Sequence, residues 1–311
     1  MDDRKATLLQ QIGGHIRVAK EKNLPFGTLV PGLNLSYYTK PERVPNCFYH
    51  LSIGLIVNGD KRVIVGSRPY AYGTGTMLVT SVEIPSSYEL FNVTPENPFI
   101  SLSLKLNPAL LSEILMEEGP FDAEPTEDTV EANNIFTVAP SEVKLLEAFE
   151  RLLRLLDQHR ALRARGPLIV RDIHYLVLSG TCGRCLRELY ARGTAGHGVR
   201  RAIMRLKESF REPLHIADLA SVAGMAPTTF HRHFKAVTSI TPLQYQKRLR
   251  RYEAQKLLLS HEADANTAAF ALGYVSAQQF SREYKRLFGE SPIRSVRSWE
   301  TKTDKEAHVQ S

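Results

Sequence analysis

Three short stretches hold the residue types that do chemistry most readily. Ala226–Val237 reads APTTFHRHFKAV, with His231-Arg232-His233 at its centre. GTCGRCLREL places Cys182 and Cys185 in a C-x-x-C spacing, and VPNCFYH carries the remaining cysteine, Cys47. The His-x-His triplet raises metal binding, the basic helix around it raises nucleic acid, and the thiols raise redox or electrophile chemistry.

Helix geometry decides the first question. Pro227 suits a first helical turn, and Thr228–Val237 contains neither Gly nor Pro. At roughly 100° per residue, Phe230, Phe234 and Val237 share one apolar stripe. Thr228, Arg232 and Lys235 lie opposite, with His231 beside them. His233 falls nearer the apolar side. Residues two apart point roughly 200° apart, whereas metal pairs on a helix need i,i+3 or i,i+4 spacing. The two histidines therefore cannot share an ion, and what remains is a polar, basic face.

That face occurs twice. Phe230, Arg232, Phe234, Lys235 and Pro242 are matched fifty positions later by Phe280, Arg282, Tyr284, Lys285 and Pro292. Upstream, Ala220 and Gly224 are matched at plus forty-nine by Ala269 and Gly273. Each copy has an apolar helix with a small residue at a close crossing. A Gly then provides a tight exit, and a second helix with an exposed polar face follows. This is the grammar of a helix-turn-helix unit, whose second helix enters the DNA major groove. In the second copy Gln278, Ser281, Arg282 and Lys285 face out, and Phe280, Tyr284 and Leu287 face in. Arg reads guanine, Gln reads adenine, and Lys and Ser serve phosphates or base edges. The connector Leu243–Ser260 keeps Tyr245, Leu249, Tyr252 and Leu257 at helical spacing, with Lys247, Arg248, Arg250 and Arg251 crowding its middle. A rigid connector sets the separation of the two reading helices. Two successive major-groove segments on one DNA face lie about 34 Å apart, and a shorter separation requires bent DNA.

Charge follows the repeat. Of the chain's net +7, residues 197–311 hold 19 Lys and Arg against 11 Asp and Glu, whereas the remainder holds 21 against 22. Basic charge segregated to one half suits a nucleic-acid domain. No apolar run approaches a membrane span, and the N-terminus lacks a secretory apolar core. The expectation is a cytoplasmic protein with reduced cysteines.

The first half reads as strands. His50–Val57 is apolar, Asn58-Gly59 is a hairpin turn signal, Lys61–Val65 alternates, and PFISLSLKL (Pro98–Leu106) alternates strictly. Short strands at this spacing predict an antiparallel barrel or jelly roll. Asn107-Pro108 reads as N-cap and first residue of a helix running to about Glu117. Gly119–Asn134 is an acidic loop. Ser141–Arg160 and Pro167–Ser179 are amphipathic helices whose leucine-rich face suits core packing or homodimer contact. The fold class is thus α+β, with an N-terminal barrel or jelly roll, flanking helices and an all-α C-terminal domain of two helix-turn-helix units joined by a linker helix. The expected divisions are an N-terminal helix (1–24), the barrel (25–118), a loop and helical linker (119–196), the DNA-binding domain (197–299) and a tail (300–311).

A barrel ahead of a DNA-binding unit predicts a ligand-gated switch with its pocket in the barrel. Candidate effector contacts are Cys47, Tyr49, Ile53, Tyr70 and Tyr72. Cys47 is also a candidate for attack on an electrophile such as an aldehyde, and Cys182 with Cys185, at a helix start that favours thiolate, for redox sensing. Before His159 the only histidines are His15 and His50, so no metal or other cofactor is expected. A barrel enzyme with a DNA-binding tail is the remote alternative, since no nucleophile–base pair or phosphate loop supports catalysis.

The run IADLASVAGMAPTTFHRHFKAVTSITPLQYQKRLRRYEAQKLLL, followed by AAFALGYVSAQQFSREYKRLFGESP, closely resembles the AraC/XylS family of bacterial transcription regulators over residues 200–296. The stretches VPNCFYHLSIGLIVNGDKRVIVG, YGTGTMLVTSVEIP and FISLSLKLNPALLSEIL resemble a cupin-like N-terminal partner domain of that family. The resemblance implies sequence-specific binding of double-stranded promoter DNA, regulation of transcription, most readily activation, and contact with RNA polymerase. It carries DNA-facing roles onto Thr228, Thr229, His231, Arg232 and Lys235 in the first unit, and onto Ala277, Gln278, Ser281, Arg282 and Lys285 in the second. Ala277 offers only a methyl group there.

Overall fold

The amphipathic N-terminal stretch forms helix α1 (Asp3–Glu21), which buries Leu8, Leu9, Ile12 and Ile16. A short helix α2 (Phe26–Leu29) leads into eight strands: β1 (Leu33–Tyr38), β2 (Glu42–Tyr49), β3 (Ser52–Asn58), β4 (Asp60–Val65), β5 (Arg68–Gly73), β6 (Thr76–Thr80), β7 (Ile84–Phe91) and β8 (Phe99–Lys105). Helix α3 (Pro108–Glu118) starts as the sequence predicts, with Asn107 Oδ1 accepting from the Ala109 and Leu110 amides. In this computed structural model residues 3–65, 68–119, 136–259, 264–288 and 291–294 are described. Most of the acidic stretch Gly119–Asn134 and the tail from 300 lie outside them.

The strands make two antiparallel sheets. One has the order β1-β8-β3-β6-β9, where β9 is Phe136–Pro140, and the other β2-β7-β4-β5. This corrects two expectations. Asn58-Gly59 does not close a hairpin, because β3 and β4 belong to different sheets. Gly59 turns the chain at the corner between them with φ 95°, and a Cβ there would press on Phe99 at 3.1 Å. The barrel also does not end near residue 118. β9 pairs with β6 from Thr76↔Pro140 to Thr80↔Phe136 and completes the larger sheet.

Alternation divides that sheet's two faces. Ser101, Ser103 and Lys105 of β8 turn into the space between the sheets, while α1 packs on the other face against β1, β3 and β8. Helix α4 (Val143–Leu153) packs against α1, and α5 (His159–Ser179) against α4. The predicted helix over Ser141–Arg160 is thus shorter, and α5 runs through Pro167. The leucine-rich face is core: Leu145, Leu146, Phe149, Leu152, Leu153, Leu155 and Leu156 are all buried within the chain.

The rest is helical: α6 (Gly183–Tyr190), α7 (Ala195–Glu208), α8 (Ile216–Ala223), α9 (Pro227–Thr238), α10 (Pro242–Leu259), α11 (Ala265–Ala271) and α12 (Ala277–Phe288). The first helix-turn-helix, α8–α9, shares one continuous core with the sandwich, reaching Tyr245 and Leu249 of α10. The second, α11–α12, has its own smaller core with the far end of α10, around Ala254, Leu258, Phe280 and Tyr284. Among the described residues no helix is long and apolar enough to cross a membrane.

Candidate nucleic-acid interface and ligand cavity

The repeat seen in the sequence is repeated in hydrogen bonding. After α8, Gly224 adopts φ 70° and the Met225 amide donates to the Ala220 carbonyl at 3.0 Å. After α11, Gly273 adopts φ 78° and the Tyr274 amide donates to Ala269 at 3.1 Å. Both are left-handed helix exits that suit Gly. Ala220 and Ala269 are fully buried, as the close helix crossing requires. On α9 the rings of Phe230 and Phe234 meet edge-on at 5.5 Å, and on α12 Phe280 and Tyr284 do the same at 5.5 Å. These aromatic stripes hold each reading helix down. Thr228, His231, Arg232 and Lys235 consequently stand exposed on α9, and Gln278, Arg282 and Lys285 on α12. Thr229, Ala277 and Ser281 are half-buried at the margins of these faces, and His233 is half-buried toward the core side. Among the described residues no group of three metal-ligating side chains is brought together.

The connector's basic cluster serves a different purpose from its charge. Arg250 donates to the carbonyls of Phe210 (2.7 Å), Arg211 (3.1 Å), Glu212 (2.8 Å) and Gly273 (3.3 Å). One guanidinium thus ties the loop before α8 to the turn of the second unit. Gln246 donates to the Phe210 and Glu212 carbonyls from the preceding turn of α10. Lys247 and Arg251 both pair with Glu283 of α12, at 3.4 and 3.3 Å, and their charges hold the Glu283 carboxyl below its usual range despite burial. These side chains fix the two units relative to each other.

A cavity of about 420 Å³ lies between the two sheets. Of the candidate effector contacts, Cys47, Tyr49 and Tyr72 line it. Ile53 does not: it alternates with Ser52 and Gly54, which do, so its side chain turns to the opposite face. Tyr70 is one layer away, stacked on Phe136 at 5.6 Å. Sequence reasoning missed Lys61, which lies over the rings of Tyr88 (4.3 Å) and Tyr49 (5.3 Å). The clue was present, since Lys61 shares the strand parity of the buried Val63 and Val65. Burial pulls its ammonium down to about 8, against the opposing influence of Cys47 and Glu42.

The end of the cavity meets the helical half. His50 and Phe48 line the cavity. His50 Nδ1 lies 3.2 Å from Glu83 Oε1, and the Phe48 ring lies 4.8 Å from that of Tyr252 on α10. Glu83, between β6 and β7, also pairs with Lys207 of α7, and its carbonyl accepts from Tyr245 Oη of α10 at 2.6 Å. Burial would raise the Glu83 carboxyl, but His50 and Lys207 outweigh it and hold it at about 2.

The thiols contradict the activated state expected of a helix start. Cys182 caps α6, yet burial pushes it up to about 12, and its Sγ donates to the Thr137 carbonyl at 3.9 Å. Burial also raises Cys185, and it raises Cys47 despite the Ser86 hydroxyl at 3.3 Å and the Lys61 charge. Among the described residues the three cysteines form no disulfide.

Comparison with known proteins agrees with this architecture. LumQ, a probable transcriptional regulator of Photobacterium leiognathi, is 33% identical over 89 residues, 29% of this chain and 36% of that protein. The transcriptional activator RhaS of Pectobacterium carotovorum is 29% identical over 105 residues, 34% of this chain and 38% of that protein. The chain therefore spans little more than a third of the length of these relatives. ToxT from Vibrio cholerae, in a crystal structure with an unsaturated fatty acid bound, aligns over 85% of this chain and 94% of its own with a TM-score of 0.53. At 11% identity that likeness speaks of the fold alone. Residues 219–297 match the model of a helix-turn-helix domain. Residues 29–185, half of the chain, match the model of the AraC-type transcriptional regulator N-terminus, and the chain belongs to that family.

Proposed function

We propose that this protein is a sequence-specific DNA-binding regulator of transcription, gated by a small molecule in the cavity between its sheets. The observation that carries the reading is the duplicated α8–α9 and α11–α12 unit. Each copy buries an aromatic stripe and exposes Arg and Lys at matching positions of its second helix. Thr228, Thr229, His231, Arg232 and Lys235 face one groove segment, and Ala277, Gln278, Ser281, Arg282 and Lys285 the next. The ligand contacts in this reading are Cys47, Tyr49, Tyr72 and Lys61, and the junction at Glu83 transmits occupancy to α10.

Activation is the favoured direction, because RhaS is named an activator. Contact with RNA polymerase and action in the cytoplasm, on the nucleoid, follow from the same reading. A homodimer would use exposed apolar residues of α5, such as Leu168 and Tyr175. The protein is read as a regulator and not an enzyme, in line with its relatives' names. A covalent or redox trigger at Cys47 or at Cys182 and Cys185 is disfavoured by the raised thiols, since the thiolate is the reactive form.

The test is genome-wide footprinting of the full chain on fragmented host DNA at near-physiological salt. Enriched sites spanning two adjacent major-groove segments are expected. Uniform weak binding, with and without host metabolite extract, would overturn the reading.

A further inference from the structure

We propose that the cavity takes a small organic monoanion whose carboxylate docks on the Lys61 ammonium and the Tyr49 hydroxyl. This rests on reading the cavity as the ligand site and adds the chemical class of the ligand.

Three independent features converge on it. Lys61 carries its charge into the space between the sheets, with its ammonium over two tyrosine rings. The ring faces attract a cation but do not replace a counter-ion. Cys47 and Glu42 are the neighbours that favour the charged Lys61, and burial still outweighs them. The fold thus leaves this charge under-compensated, and a desolvated charge is costly unless paired. Second, the Tyr49 hydroxyl is buried and makes no hydrogen bond of normal geometry, although Tyr72 neighbours it. Tyr49 and Tyr72 both line the same volume. Third, Ser101 and Ser103 place hydroxyl-bearing residues on the facing wall, and Lys105, exposed at the cavity's edge, adds a second positive charge. That charge steers anions inward.

The donor set also restricts the anion. A carboxylate satisfies one ammonium and one phenol through charge-assisted hydrogen bonds. A phosphate or other multiply charged group favours arginine forks or backbone nests, and no arginine is among the described lining residues. The tyrosines around Lys61 provide apolar ring surface for the body of the ligand. The volume lies within the range of small-molecule sites.

The experiment uses the full chain and matched pairs of probes: benzoate with benzamide, salicylate with salicylamide, and octanoate with octanamide. Thermal unfolding is followed against probe concentration, with Lys61→Met and Lys61→Arg variants alongside. At least one carboxylate should raise Tm saturably, with its amide about tenfold weaker or worse. Lys61→Met should remove the response while unfolding as cooperatively as the parent, and Lys61→Arg should retain part of it. Amides binding as well as carboxylates, an undiminished response in Lys61→Met, or no response to any carboxylate would each overturn the proposal. DNA affinity measured in the same samples separates the two readings. Amides that bind and change DNA affinity would remove the anion and keep the gating. Carboxylates that bind through Lys61 without changing DNA affinity would keep the anion and remove the gating.

Discussion

Tyr245 Oη, from the helix that joins the two helix-turn-helix units, donates to the main-chain carbonyl of Glu83 at 2.6 Å. The two residues are 162 positions apart, and Tyr245 is fully buried. The connector is therefore anchored directly on the loop between β6 and β7. On that same residue, the Glu83 carboxylate holds His50 of the cavity wall and Lys207 of α7.

Removing the anchor tests its weight. Tyr245→Phe keeps the packed ring and removes the donor from a half-buried carbonyl, so it should cost about 1–3 kcal/mol of stability. Denaturant unfolding of the full chain measures this. If the junction transmits ligand occupancy, the same variant should also shrink the ligand-dependent change in DNA affinity. Unchanged stability and unchanged ligand response would mean that the contact is incidental.

The reading faces make a separate claim. Arg232→Ala or Arg282→Ala should weaken binding to an enriched site by about 1–3 kcal/mol where the residue reads a base. Lys235→Ala or Lys285→Ala should instead flatten the salt dependence by about one phosphate contact. Titrations on specific and random duplexes at several salt concentrations separate these outcomes. Normal operator binding by both Arg variants would refute the face assignment.

Arg250 should behave as a structural residue in spite of its charge. Arg250→Ala removes a guanidinium from four carbonyls and should cost about 3 kcal/mol, with DNA affinity falling alike on specific and random sequences. Arg250→Lys should rescue little, since an ammonium lacks the planar fork. A variant of normal stability with a selective loss of operator affinity would instead place Arg250 in the DNA interface.

Stability should fall in acid in two steps. His174 Nε2 accepts from the Asn107 amide at 2.8 Å, so Nδ1 carries the proton and donates to the Val170 carbonyl at 2.7 Å. Burial lowers its pKa despite that carbonyl. The unfolded chain binds this proton first, so its contribution is complete above about 6.5 and declines as pH falls through the lower folded value. Glu83, held at about 2 from 4.5, contributes fully above 4.5 and loses that contribution between 4.5 and 2. Unfolding midpoints measured across pH check both. His174→Gln should flatten the first step and Glu83→Gln the second, and profiles unchanged from the parent would contradict these assignments.

Thiol labelling at neutral pH should be slow at all three cysteines and slowest at Cys182, the most buried. Mass spectrometry after a timed exposure to iodoacetamide reads this. Rapid modification of Cys47 or Cys185 in the native protein would revive the covalent reading.

Much of the helical half was legible from residue order alone. Helical periodicity and Gly exits are local, so Phe230, Arg232 and Lys235 and their counterparts at plus fifty announced both the repeat and its exposed faces. Asn107-Pro108 marked its helix start for the same reason. What tertiary structure decided is non-local. Asn58-Gly59 reads as a hairpin until β3 and β4 are seen to pair with different partners. Ile53 and Tyr49 are both apolar-region strand residues, and only the stacking of two sheets shows which one borders the cavity. In the sequence Arg250 is one of several basic residues crowding the connector, and only the fold shows four carbonyls from distant loops converging on it. By itself the sequence determined the helical repeat and the polarity of its faces, because these depend on neighbours three or four residues away. Packing alone determined which polar groups are buried together, because desolvation makes a charge depend on residues a hundred or more positions distant.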